Sequence, residues 1–185
     1  MNYSLNKNEV EKIAGKKINM IRYQDLLNID DIDELFYNKT KKISKPIDSC
    51  LIHFQHSHNN SVISGHWCII TRNKNNLYFF DSYGNFPDDQ LEHIDSQYNE
   101  LVGQGFPFLS KLMHNCPYNL HYNPYRLQSL ENNSSTCGRY AGLFSRHFKE
   151  FKDIDDFSKE LLKYKKKGFD IDELVVKLTN KYLSG

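Results

Sequence analysis

The sequence predicts an α+β fold: a central, mostly antiparallel sheet flanked by helices. Three observations carry that reading. His66–Thr71 and Leu77–Asp81 are rich in β-branched and aromatic residues and are separated by the polar stretch Arg72–Asn76, the pattern of a buried β-hairpin. Thr136–Phe151 repeats apolar residues at helical spacing, with Tyr140, Ala141, Phe144, Phe148 and Phe151 on one stripe. Two more helical segments, Asp155–Lys167 and Ile171–Leu183, follow it.

The other elements are taken in order. Ser4 is a candidate cap for a short helix running to Ala14, with Gly15 as its stop. Ile18–Tyr23 reads as a strand. Asn28–Tyr37 carries Ile29, Ile32, Leu35 and Phe36 at helical spacing, with Asp residues near its start. Cys50–Phe54 is a short apolar strand, and the polar residues Gln55–Gly65 read as a loop. Tyr83-Gly84 ends the hairpin. Asp88–Val102 reads as a helix with Leu91, Ile94, Tyr98 and Leu101 on one face. Tyr118–Gln128 reads as a strand that Pro124 breaks or confines to an edge.

Composition narrows the function classes. The chain has 185 residues, 39% hydrophobic and 25% charged, with a formal net charge of +1. That balance argues against a surface that neutralises many phosphates. The run Lys163, Lys165, Lys166 and Lys167 reads as a solvated helix end. No apolar stretch approaches the length of a membrane span, and no apolar leader opens the sequence. Four cysteines (Cys50, Cys68, Cys116 and Cys137) without CxxC spacing fit a reduced, intracellular setting. His53, His56 and His58 lack a matching cluster at zinc spacing, so no metal site is expected.

Chemistry concentrates at four positions. Cys137 lies at the first turn of the predicted helix Thr136–Phe151, with Ser135 or Thr136 where an N-cap belongs. Unpaired N–H groups and the helix dipole favour a thiolate there. Gly138 beside it would let a substrate backbone come close. A two-residue hairpin loop at Asn73-Lys74 would place His66 opposite Asp81, the separation at which a carboxylate holds an imidazole. In that register Cys68 and Ile70 share a face with Leu77 and Phe79. Gln128, nine residues before Cys137, carries an amide that could donate to an oxyanion, with the Cys137 N–H as second donor. Each feature alone has an ordinary structural explanation: a small residue at a helix start, an acid ending a strand, a polar residue at a strand end.

The order His66-Trp67, Phe79-Phe80-Asp81-Ser82-Tyr83-Gly84, Leu127-Gln128-Ser129 and Ser135-Thr136-Cys137-Gly138 resembles the superfamily of the adenovirus maturation protease and the SUMO-deconjugating proteases. Within it the sequence looks most like the maturation proteases of large DNA viruses and virophages. The likeness covers about Cys50 to Phe151 of one domain spanning 1–185, leaving 152–185 as a C-terminal helical part. It implies an adenain-like architecture related to papain, with Cys137 as nucleophile, His66 as base and acid, Asp81 orienting His66, and Gln128 in the oxyanion hole. Trp67 is expected beside the site; Tyr83 and Arg139 are further cleft candidates. The gap from Gln128 to Cys137 is longer than in the family, so Leu130–Ser134 is read as a longer loop.

The expected activity is cysteine endopeptidase processing of a capsid or other viral structural protein at Gly-Gly or Gly-X sites, in the virion, host cytoplasm or viral factory. No cofactor is required by these residues, although an activating peptide or DNA, as in the adenovirus relative, is compatible with them. The rival readings are a deconjugase for ubiquitin-like proteins, an acetyltransferase built on the same triad, and an inactive binding module.

Overall fold

Five strands, β1 (Asn19–Arg22), β2 (Ser49–His56), β3 (Ser64–Asn73), β4 (Asn76–Phe80) and β5 (Asn119–Tyr122), form one sheet in chain order. The computed structural model describes residues 4–37, 47–56, 64–130, 135–151 and 153–184. The expected α+β class is observed, with a mixed sheet. β2, β3 and β4 are antiparallel neighbours, while β1 lies parallel to β2 and β5 parallel to β4. Parallel neighbours need long crossovers. Here the first crossover contains the 3-10 turns Tyr23–Asn28 and Ile32–Phe36. The second contains a 3-10 turn at Asp89–His93.

The helices are α1 (Lys7–Ala14), α2 (Ser96–Val102), α3 (Phe108–His114), α4 (Cys137–His147), α5 (Ile154–Lys166) and α6 (Ile171–Leu183). α1 starts later than Ser4 suggests, because Asn6 and Glu9 form a reciprocal capping box. Gly15 stops it in the left-handed region, at φ 69°. The helical stretch expected at Asn28–Tyr37 holds only the short 3-10 turn Ile32–Phe36, after the end of the preceding turn at Asn28. The stretch Asp88–Val102 splits because Ile94 is extended and Asp95 caps a new helix through the Tyr98 N–H. Asp88 is not helical at all (φ 74°). Its carboxylate instead accepts from Tyr23 Oη at 2.5 Å and from the Ser110 N–H at 2.7 Å, fixing the start of α3. β5 stops at Tyr122, just before Asn123-Pro124, so the strand expected to reach Gln128 is shorter.

Two apolar layers cover the sheet. Leu51, Trp67, Ile69 and Phe80 face α1, α4, α5 and α6 through Val10, Ile13, Tyr140, Phe144, Phe157 and Val175. Phe80 stacks on Phe144 with ring centroids 4.6 Å apart. The other face (Cys50, Ile52, Phe54, Cys68, Ile70, Leu77, Phe79) packs on the 3-10 turns and α3. This two-sided cover explains why β2 reads as a nearly continuous apolar run. The loop expected from Gln55 gives way at both ends: Gln55 and His56 belong to β2, Ser64 and Gly65 to β3, and 57–63 lie outside the described residues.

The hairpin turn is two residues long, as expected, but sits one residue later, at Lys74-Asn75. Ile69 pairs with Phe80 and Asn73 with Asn76. Lys74 takes a left-handed φ of 54°. The His66–Asp81 facing pair of the expected register is therefore absent from the ladder. A one-residue shift of the turn moves every partner by two, which preserves the face on which each side chain points. Cys68, Ile70, Leu77 and Phe79 accordingly still share one face.

α1 and α4 approach closely at Gly142, where an added Cβ would stand 2.8 Å from Ile13 Cγ2 and 2.9 Å from Ile13 Cβ. We predict that Gly142→Ala destabilises the fold by about 1–3 kcal/mol, although Ala is the better helix former. Denaturant unfolding showing equal or higher stability would contradict this packing.

Candidate active site

The ladder between β3 and β4 ends at Ile69–Phe80. His66 therefore lies on β3 beyond its last β4 partner, still paired to Phe54 of β2, and faces a turn instead of a strand. That turn is Asp81-Ser82-Tyr83-Gly84. Gly84 sits at φ 75°, its N–H donates to the Asp81 carbonyl at 3.0 Å, and a Cβ there would meet the Tyr125 backbone at 2.7 Å. Glycine is required by both conformation and space.

The turn delivers Asp81 to His66. Asp81 Oδ1 accepts from His66 Nε2 at 2.8 Å and from the Tyr83 N–H at 2.9 Å. Asn123 Nδ2 donates to the Asp81 carbonyl at 2.7 Å. The side chains of His66 and Asp81 are only 3% and 1% exposed, so their mutual pairing decides how much of their buried charge is compensated. The Tyr83 ring stacks on His66 with centroids 4.8 Å apart. Because an ionised carboxylate only accepts, Nε2 carries the proton and Nδ1 is the nitrogen left for other neighbours.

Cys137, the first residue of α4, is buried and is among the neighbours that raise the His66 pKa. Its position at the helix start leaves its own N–H outside the intrahelical ladder. The N-cap is Thr136, whose side chain makes no cap bond to the helix. Burial alone would pull the His66 pKa down. The Asp81 charge, Cys68, the hydrogen bond to Asp81 and the neighbouring Cys137 outweigh it and hold the His66 pKa well above its ordinary range. Cys68, on the same strand, also contacts His66, and burial followed by the Asp81 charge pushes its thiol up to about 12. A proton is thus stored on His66 while Cys68 stays neutral. Burial, followed by the His66 charge, depresses the His53 pKa.

Gln128 is buried and tied to the same turn. Ser82 Oγ donates to Gln128 Oε1 at 2.7 Å, and the Gln128 N–H donates to the Ser82 carbonyl at 3.0 Å. With its oxygen engaged by Ser82, the amide presents NH₂ as its donor end. Gln128 is thereby linked to the residue next to Asp81; residues 131–134, most of the longer loop read before Cys137, lie outside the described residues. The side chain of Gln104 is spent on the backbone of Gln55, Nε2 donating to its carbonyl at 3.0 Å and Oε1 accepting from its N–H at 2.8 Å.

Two neighbours, Gly138 and Arg139, behave differently from expectation, whereas Trp67 does pack beside the site, against Gly138. Gly138 points inward: a Cβ would meet Leu5 at 3.2 Å, Val10 at 3.4 Å and Trp67 at 3.5 Å, so its small size serves the packing of α4 rather than a substrate backbone. Arg139 lines no cleft, being fully buried with Nη1 donating to Thr179 Oγ1 at 2.6 Å and to Asn180 Oδ1 at 3.0 Å. Trp67 is a core residue whose Nε1 donates to the Leu5 carbonyl at 3.2 Å and whose ring packs on His53 at 4.4 Å. His53 and His56 lie on β2, and His58 lies outside the described residues. Among the described residues, the metal-type donor atoms that cluster are those of His66, Cys68 and Asp81, all within 4.8 Å of one another.

Sequence reasoning passed over Cys68 and Asn123. Cys68 is two residues from His66 on a strand, hence on the same face, a signal available from the pattern. Asn123 fell inside the strand read over Tyr118–Gln128, with nothing in the pattern to single it out.

The raised His66 pKa sets a pH window. A group held above its unfolded value contributes stability that is fully present below about pH 6.5 and is lost as pH rises through the folded value. In Asp81→Asn we expect the His66 midpoint, followed by NMR, to fall, and alkylation of Cys137 at pH 6 to slow. An unchanged midpoint would show that Asp81 does not hold the proton there.

No protein-family model matches the chain. Protein V9 of Sputnik virophage is 31% identical over 175 residues, which cover 92% of this chain and 91% of V9. Solved structures with some likeness include the ASFV pS273R protease, at a TM-score of 0.45 and 16% identity over 85% of this chain and 62% of that one. Another is the SUMO protease Ulp1 with its catalytic cysteine oxidised to a sulfinic acid, at a TM-score of 0.38 and 15% identity over 98% of this chain and 78% of that one. Among the described residues no helix is long and apolar enough to cross a membrane. With 31% identity running nearly the whole length of both sequences, the chain belongs to the family of Sputnik virophage protein V9.

Proposed function

We propose that the chain is a cysteine endopeptidase that processes a viral structural protein, with Cys137 as nucleophile. The observation that supports this is the buried His66–Asp81 pair, bonded at 2.8 Å, with Cys137 opening α4 and counted among the neighbours that raise the His66 pKa. A cysteine at a helix N-terminus, served by a histidine that an acid orients, is the arrangement that acyl transfer through a thiol needs. The virophage relative supports the viral setting.

In this reading the Cys137 sulfur attacks the scissile carbonyl carbon. The oxyanion that forms is held by the Cys137 N–H and the Gln128 amide. His66 gives its proton to the leaving amine as the C–N bond breaks, leaving a thioester. His66 then takes a proton from water, the hydroxide adds to the thioester, and Cys137 departs as thiolate with the imidazolium restored. Asp81 keeps the ring in one tautomer and orientation throughout. We read the preferred cleavage sites as Gly-Gly or Gly-X, as the family resemblance suggests.

The test begins with limited alkylation at pH 6 of wild type and His66→Ala. Selective labelling of Cys137 that weakens in the variant is the expected result. Peptides carrying Gly-Gly should then be cleaved by wild type, with activity lost in Cys137→Ala and reduced by a factor on the order of 10³ or more in His66→Ala. Uniform labelling of the four cysteines, or cleavage that survives Cys137→Ala, would refute the assignment. Efficient reaction with a ubiquitin-like tail probe, alongside no cleavage of structural-protein peptides, would move the substrate to the deconjugation class.

A further inference from the structure

We infer that Asp172, on α6, is the positioning residue that holds the two halves of the oxyanion site together; this rests on the endopeptidase reading above. Gln128 and Cys137 lie on either side of the segment that starts at Ser129 and ends at Thr136. One carboxylate grips both ends of it. Asp172 Oδ2 accepts from the Ser129 N–H at 2.9 Å, and Asp172 Oδ1 accepts from Thr136 Oγ1 at 2.8 Å. Oδ1 also accepts from Tyr140 Oη at 2.9 Å, one turn into α4. Asp172 is only 9% exposed. Charge-assisted bonds of this kind are about twice as strong as neutral ones.

The chemistry of each bond explains why an acid is needed. A carboxylate accepts at both oxygens and donates at neither, so it can serve an amide, a hydroxyl and a phenol at once. The Ser129 N–H follows directly on Gln128, so fixing it fixes the backbone from which the Gln128 amide projects. The Thr136 hydroxyl is turned to Asp172 and makes no cap bond to α4. The first-turn amides next to Cys137 are therefore not claimed by that side chain. The carboxylate also lies by the positive end of the α4 dipole, where negative charge is favoured. Tyr140 Oη lies 3.4 Å from the carbonyl of Leu127, the residue before Gln128, while its one proton goes to the nearer Asp172. Asp172 touches no substrate in this scheme; it acts through Ser129, Thr136 and Tyr140.

A positioning role and a merely structural one differ in kinetics. If the clamp sets the separation of the two oxyanion donors, loosening it weakens transition-state binding and leaves ground-state binding nearly intact, so kcat falls and KM does not follow. Loss of a whole oxyanion donor costs about 10²- to 10³-fold, and a displaced donor should cost about tenfold or more. The experiment compares full-length wild type, Asp172→Asn and Thr136→Val on a Gly-Gly peptide, at a temperature where circular dichroism shows each folded. Amide hydrogen exchange at Ser129 is measured alongside. Expected are a KM within about twofold of wild type, a kcat lower by about tenfold or more in Asp172→Asn and by less in Thr136→Val, and faster exchange at Ser129 in Asp172→Asn. The effect of Asp172→Asn should also shrink when Gln128 is already Ala, since both act on one donor. Unchanged kcat in folded Asp172→Asn, or unchanged protection at Ser129, overturns the inference. If Asp172→Asn does not fold, Thr136→Val and Tyr140→Phe decide it by the same kinetic split. If wild type neither cleaves peptide nor shows selective labelling of Cys137, the endopeptidase reading fails. The clamp is then judged by Ser129 exchange alone, lost protection supporting it and retained protection refuting it.

Discussion

An imidazole and a carboxylate removed from water must be satisfied by whatever the chain can place around them, and His66 with Asp81 imposes that demand on this fold. Removing one partner of such a pair strands a buried charge, at about 3–5 kcal/mol. The local architecture answers it from several directions. The tight turn closed by Gly84 aims the carboxylate, the Tyr83 N–H shares its Oδ1, and Asn123 holds the Asp81 carbonyl. The Tyr83 ring covers the imidazole. The turn would adopt another shape without Gly84, and the pair would have no geometry without the turn.

The pair also stands at a seam. Cys137 belongs to the apolar layer formed with α1, α4, α5 and α6, whereas Cys68 belongs to the layer on the other face of the sheet. His66 lies past the end of the β3–β4 ladder, and both thiols are among the groups that bear on its pKa. The two thiols then meet different surroundings. Cys68 is enclosed on a strand, where burial and the Asp81 charge keep it protonated, and Cys137 opens a helix. Position, more than residue type, distinguishes them.

Much of this was legible beforehand, and the failures have physical reasons. Long amphipathic runs identify α4, α5 and α6 well, and α6 has the limits its periodicity suggests. Short elements do not announce themselves. α3 is seven residues long and depends on Asp88, whose carboxylate caps it from a distant turn, a contact no local pattern encodes. The hairpin turn slipped by one because Asn73, Asn75 and Asn76 are all good turn residues and no glycine marks the left-handed position, which Lys74 takes. His66 and Asp81 still meet, since the shift preserves the face and the turn after β4 bends Asp81 back toward His66. Gly138 shows the opposite failure. A glycine beside a cysteine suggests room for a ligand, but here it makes room for Leu5, Val10 and Trp67.

The tie between Trp67 and Leu5 has a consequence for how the protein comes into being. The bonds that build and brace the site join residues 15 apart for His66–Asp81, 46 apart for Ser82–Gln128 and 62 apart for Leu5–Trp67. Such non-local contacts form late and cooperatively during folding, after most of the loop-closure entropy has been overcome. A chain still emerging from the ribosome, with α4 not yet made, has His66, Cys68 and Asp81 but neither Gln128 fixed in place nor Cys137. The surroundings of His66 are therefore complete only in the finished molecule, once the last of these distant contacts has closed.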